Sequence, residues 1–153
     1  MHHSVRRLLS LGKINKSTAY LEIGVDTGKT FSKLDFETMH GVDPSFKFDI
    51  TKVNRDGIKF YQLGSDEFFY QTSEKNKYDL IYLDGLHTYD QTYRDFCNCL
   101  SRSNHKSIFL IDDILPCDSY AAMRNQNFAL NLRRIEAPLT DGKFNISWMG
   151  DVF

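Results

Sequence analysis

The feature that most narrows the fold is a set of five short apolar runs at residues 20–25, 39–42, 58–63, 78–83 and 107–111. Each has the length of a strand and is rich in Ile, Leu, Val, Phe or Tyr. The first, fourth and fifth are nearly continuous rather than alternating, which suits strands buried on both faces of a parallel sheet. Between the fourth and fifth, Tyr89, Tyr93, Phe96, Cys97 and Leu100 recur at helical spacing and predict a helix with one apolar face. Thr88, with Gln91 three residues on, has the form of a capping box at its start. Residues 5–11 and 28–36 predict shorter helices. The succession gives at least one βαβ unit and an α/β chain with a mostly parallel sheet.

The 153 residues fit a single domain, with no repeat, linker or low-complexity tract to divide it. A formal net charge of −1 argues against a dedicated nucleic-acid binder. No apolar run is long enough to cross a membrane, and the N-terminus is too polar for a signal peptide. Three cysteines, an odd number, suit a reducing compartment such as the cytoplasm. Cys97 and Cys99 lack partners at zinc-finger spacing and read as inert thiols.

Ligands of open parallel sheets bind at the carboxyl ends of the strands. All five of these ends carry Asp here: Asp26, Asp43, Asp66, Asp84 and the pair Asp112 and Asp113. The loop after the first run, with Glu22, Gly24, Asp26, Gly28, Lys29 and Thr30, admits three readings. A phosphate-binding P-loop needs a glycine where Ile23 stands, although Gly28-Lys29-Thr30 fits and residues 108–113 resemble a Walker B strand. A dinucleotide loop needs a glycine where Asp26 stands. In both, carboxylates would face an anion. S-adenosylmethionine instead carries a sulfonium and an ammonium, which carboxylates favour. Asp43 follows Gly24 at roughly the 20-residue spacing at which an acid reaches a ribose. Charge therefore selects S-adenosylmethionine, with a P-loop nucleotide hydrolase as the rival.

The segment from Leu21 to Gly28 resembles motif I, E-x-G-x-x-x-G, of the class I S-adenosylmethionine-dependent methyltransferases. Gly41-Val42-Asp43-Pro44 resembles their ribose-binding acid, and Gly64-Ser65-Asp66 resembles the motif near the adenine. The runs D-G-L-H-T-Y at residues 84–89 and I-D-D-I-L-P at 111–116 are similar to those of small bacterial methyltransferases linked to glycans or secondary metabolites. Trp148, Gly150, Asp151 and Val152 resemble a weaker, later motif. The resemblance implies a Rossmann-like three-layer sandwich of about five strands in the order 3-2-1-4-5. It implies cofactor contacts from Glu22, Gly24, Gly28, Asp43, Ser65, Asp66 and Asp84. The family pattern adds antiparallel strands after the fifth. The expectation here is that they are absent, which would leave a sheet edge open and make a truncated, non-catalytic binding domain a further alternative.

Asp84, Asp112 and Asp113 should converge at neighbouring strand ends, where carboxylates repel unless a cation such as Mg²⁺ joins them. This resembles the metal-dependent O-methyltransferases, in which the ion lowers the pKa of the acceptor hydroxyl. His87, three residues after Asp84, is the candidate general base. The expected acceptor is a hydroxylated small molecule or sugar, with a homo-oligomer as an open possibility. Tyr89 reads as core, and Arg6-Arg7 and Arg133-Arg134 as solvated pairs. Residues 117–153 read as an active-site cover, in which Met123, Phe128, Leu130, Leu132 and Trp148 are apolar enough to pack down.

Overall fold

The computed structural model describes residues 3–53, 55–73, 75–139, 143 and 147–152. The five runs form β1 (Ala19–Ile23), β2 (Thr38–Val42), β3 (Ile58–Tyr61), β4 (Tyr78–Leu83) and β5 (Ser103–Ile111). They make one sheet in the order β3-β2-β1-β4-β5, with every pairing parallel. No antiparallel strand joins it among the described residues.

Alternation along the strands explains why the runs are apolar throughout. Tyr20, Met39, Leu80 and Tyr82 face one core, closed by Val5 and Leu8 of α1 (His3–Asn15). Leu21, Ile23, Val42, Ile81 and Leu83 face the other, closed by Phe68 of α2 (Ser65–Gln71) and Cys99 of α3 (Tyr89–Leu100). Helices thus cover both faces of a Rossmann-like α/β sheet.

Three details depart from the sequence reading. Residues 28–36 form only a single 3-10 turn, Phe31–Lys33, because Phe31, Leu34 and Phe36 all turn into the α1-side core at a three-then-two spacing that no α-helix provides. β5 begins at Ser103, earlier than its apolar part, and a register shift against β4 between Tyr78 and Leu80 absorbs the polar residues. α3 starts and ends as its periodicity predicts, but of its predicted stripe only Phe96 packs on the sheet, against Phe109. Asp95 and Cys99 are buried, whereas Tyr89, Tyr93, Cys97 and Leu100 are exposed. Tyr89 stacks on Tyr93 at 5.7 Å instead of entering the core. Arg102, which the sequence does not single out, is buried just after α3. Its guanidinium donates to the carbonyls of Phe69, Thr72 and Ser73 and to Thr72 Oγ1, and it lies over the rings of Phe68 and Phe69. It supplies donors and positive charge to the carbonyl end of α2.

The chain divides into two compact units. The first, residues up to Gly85 with Arg94–Asp112, contains the whole sheet. The second takes Leu86–Tyr93 and the residues from Asp113 onward. Within it α4 (Gln126–Glu136) is capped by Asn125, whose side chain accepts from the Phe128 amide at 2.9 Å. Arg133 of α4 is buried, not solvated: it donates to the Ser147 carbonyl at 2.6 Å, pairs with Asp118 and lies over the Tyr120 ring. Phe128 is exposed, so the cover's apolar residues do not all pack down. Among the described residues no helix is long and apolar enough to cross a membrane.

Candidate active site

In the first unit the strand order reverses between β1 and β4, and this switch point lies beside the glycine loop. The Asp84 amide donates to the Ile23 carbonyl at 2.8 Å, and the Gly24 amide to the Val42 carbonyl at 2.9 Å. Gly24 sits at φ +88°, and a Cβ there would stand 2.0 Å from the Asp84 carbonyl oxygen. Only glycine lets the two loops approach this closely.

Asp43 is the buried brace of this loop. One carboxylate oxygen accepts from the Asp26 amide and the other from the Ser45 amide, each at 2.7 Å. It thereby ties the end of β2 to the turn after β1, and each oxygen keeps lone-pair capacity for a further donor. Asp26 takes φ +47° and points outward to Lys47 Nζ at 2.5 Å. That pairing draws the Lys47 pKa upward, chiefly through the hydrogen bond to Asp26. Gly28, at φ +70°, closes the turn with its amide on the Val25 carbonyl at 2.8 Å. No α-helix follows this loop among the described residues. A P-loop would need the amides of a helix N-terminus there to hold phosphate, and this loop has none.

Glu22 lies beneath the loop, 1% exposed, accepting from the Tyr20 hydroxyl at 2.6 Å. Burial pushes its pKa up to about 8, with the charges of Asp84 and Asp43 adding to the rise against the Tyr20 hydrogen bond. It is thus largely protonated at neutral pH, a departure from the standing carboxylate that the sequence reading assumed. Ser65 opens α2, and the adjacent Asp66, exposed, pairs with Arg94 Nη2 at 3.5 Å.

The strand ends of β4 and β5 form a hydroxyl-bridged cluster. Tyr82 donates to Asp112 Oδ2 at 2.5 Å and lies 3.1 Å from Asp84 Oδ2, and Ser4 of α1 donates to Asp112 Oδ2 at 3.3 Å. The Tyr82 pKa is driven far up, first by burial and then by the Asp84 charge. Of the three expected metal carboxylates, Asp84 and Asp112 share Tyr82 in the first unit, and Asp113 meets His87 in the second.

In that second unit Asp113, at φ +55°, places Oδ2 3.0 Å from His87 Nδ1. Trp148 lies 5.6 Å from the His87 ring, centroid to centroid, and donates to the Met123 carbonyl. Gly150 is a further close approach: a Cβ there would stand 1.7 Å from the His87 carbonyl oxygen. Asp151 accepts from the Tyr89 amide at 3.2 Å and faces Arg124, which also pairs with Asp90. The residues resembling a late motif therefore hold the His87 loop.

Sequence reasoning missed the roles of Tyr82, Ser4 and Asp95. The period-two rule would have put Tyr82 on the same face as Asp84, and parallel pairing would have put Asp112 beside it. Nothing local marks Ser4. Asp95 is buried with Oδ2 3.7 Å from where a Cβ of Gly85 would stand, on the side of α3 that its apolar stripe pointed away from.

A family model described as a methyltransferase domain matches residues 21–114, which takes in β1 to β5 and every strand-end aspartate described above. No curated protein matches the chain. The matched span exceeds half of the sequence and coincides with the sheet and its ligand edge, so this chain belongs to the methyltransferase-domain family.

Proposed function

We propose that the chain is an S-adenosylmethionine-dependent O-methyltransferase acting on a hydroxylated small molecule or sugar. The observation that carries this reading is Asp43. It is a buried carboxylate at the end of β2, fixed by two amides beside a glycine turn at the switch point. A ribose diol donates two hydrogen bonds, and a braced carboxylate is suited to accept them. Gly24 and Gly28 would let the ligand approach backbone, Ser65 and Asp66 are assigned to the adenine end, and Asp84 would supply the carboxylate for the sulfonium and ammonium, with neutral, buried Glu22 supporting the turn from beneath.

His87 is the proposed base and Asp113 the residue that orients it. With the Nδ1 proton directed at Asp113, Nε2 is the basic nitrogen. The acceptor oxygen forms its bond to the sulfonium methyl as the carbon–sulfur bond breaks, sulfur keeps that electron pair, and the acceptor proton goes to His87 Nε2. Positioning and electrostatics supply most of the rate. Asp84, Asp112 and Asp113 carry the oxygen donors that Mg²⁺ takes, and a bound ion would lower the hydroxyl pKa. Asp112 Oδ2 already accepts from Tyr82, and Asp113 Oδ2 already faces His87 Nδ1. Comparing turnover in Mg²⁺ with turnover in EDTA measures the ion's contribution.

The test of the cofactor site is Asp43→Asn, which keeps the shape and one acceptor. Calorimetry should show S-adenosylmethionine binding weakened at least about tenfold, the cost of one charge-assisted hydrogen bond. Unchanged affinity would remove Asp43 from the site.

A further inference from the structure

We propose that the acceptor carries an anionic group, phosphate or carboxylate, and that a pocket between α1 and β5 receives it through Arg6 and Arg7. The pocket has a volume of about 460 Å³ and is lined by His3, Arg6, Arg7, Ser10, Leu11 and Leu110. That is within the size range of small-molecule sites. Its lining combines two guanidiniums and an imidazole with two leucines. A ligand that suits it has an anionic head and an apolar or ring-shaped body.

Neither guanidinium is spent on the fold. Arg6 and Arg7 are exposed and make no ion pair or hydrogen bond with any described residue, and α1 contains no acidic residue at all. Elsewhere the exposed arginines Arg55, Arg94 and Arg124 each pair with an aspartate. Guanidiniums bind phosphate and carboxylate through two parallel hydrogen bonds, which makes a pair of them on one pocket wall an anion-selective feature.

The pocket lies near the end of β5 that leads to Asp112. Ser4, two residues before Arg6 on α1, hydrogen-bonds Asp112, and Leu110 lies two residues before Asp112 on β5. Arg7, three residues after Ser4 and so toward the same helix face, and Leu110, on the same strand face as Asp112, are the lining residues nearest the strand end. Positive charge on α1 beside an acidic strand edge would sort the two substrates by sign, with the cationic methyl donor at the carboxylates and the anionic acceptor at the arginines. This assignment of substrate class rests on the methyltransferase reading.

The experiment titrates the intact chain, with and without S-adenosylhomocysteine, against 4-hydroxyphenyl phosphate, 4-hydroxybenzoate and phenol. It then repeats the series with R6Q/R7Q and with the exposed-charge control K33Q. The expected result is that at least one anionic probe binds ten times or more tighter than phenol, with its identity distinguishing phosphate from carboxylate. R6Q/R7Q should abolish the preference while binding S-adenosylhomocysteine as the unmodified chain does, and K33Q should keep both. Equal binding of all three probes, or a preference that survives R6Q/R7Q, overturns the pocket. An arginine-dependent preference without any adenosyl-ligand binding would instead refute the methyltransferase reading and leave the anion site standing.

Discussion

Glu22 and His40 give opposite contributions to the pH dependence of stability, and their overlap makes a sharp test. Burial raises the Glu22 pKa from its ordinary 4.5 to about 8. Between those values the native state holds a proton that the unfolded chain has released, so stability falls as pH rises. His40 is also buried, its Nδ1 2.7 Å from the Tyr78 hydroxyl, and burial lowers its pKa from 6.5 to about 4. Between those values the unfolded chain holds the extra proton, so stability rises with pH. Each slope is about 1.4 kcal/mol per pH unit. From pH 4.5 to 6.5 they cancel. Above pH 6.5 His40 is neutral in both states and Glu22 acts alone, removing about 2 kcal/mol by pH 8. Asp49, Asp79 and Asp118 have depressed pKa values that act below 3.8, outside this range. Burial raises the Tyr20, Tyr78, Tyr82 and Cys99 pKa values, so those groups act only at alkaline pH. Glu22→Gln keeps an oxygen to accept from Tyr20 and cannot ionise. It should gain about 3 kcal/mol from pH 4 to 6.5 and then stay level to pH 8. Urea unfolding followed by far-ultraviolet circular dichroism at pH 5, 6.5 and 8 reads both curves. Parallel curves for the two proteins between pH 6.5 and 8 would refute the buried, protonated Glu22.

Three further outcomes follow from groups the fold holds in place. Arg102→Gln strips the buried cation from the carbonyl end of α2 and should cost about 3 kcal/mol in urea unfolding, as expected when buried acceptors lose a charged donor. A loss under 1 kcal/mol would mean that water replaces it. His87→Gln should lower turnover about 100-fold or more, and Asp113→Asn should lower it less, both with adenosyl-ligand affinity unchanged.

The sheet was legible because its strands are buried on both faces. That demand leaves apolar runs such as 78–83, which no exposed segment would carry. The strand-end aspartates were legible for the complementary reason, since polar residues resume where burial stops. What the sequence hid depends on partners distant in the chain. The stripe Tyr89, Tyr93, Phe96, Cys97 and Leu100 has helical period, but period alone does not say which of its members face a core. Phe96 packs on Phe109, and the fold buries Asp95 and Cys99 in place of the other four. The β1–β2 crossover lost its helix because three aromatic and aliphatic side chains were needed at once around Tyr20. Arg133 read as solvent-exposed because its partners, Asp118, Tyr120 and the Ser147 carbonyl, lie 13 to 15 residues away. In the site, the glycine turn and Asp43 could be placed from spacing. The Tyr82 bridge and the His87–Asp113 pair required the register of β4 with β5 and the left-handed turn at Asp113.

The central claim is that the glycine turn and Asp43 hold an adenosyl sulfonium rather than a nucleotide phosphate. Calorimetric titration of the intact chain with S-adenosylmethionine, S-adenosylhomocysteine and Mg²⁺–ATP tests it most directly. The account predicts micromolar binding of the two adenosyl ligands and none of Mg²⁺–ATP. Binding of Mg²⁺–ATP alone, or of no ligand, would contradict it.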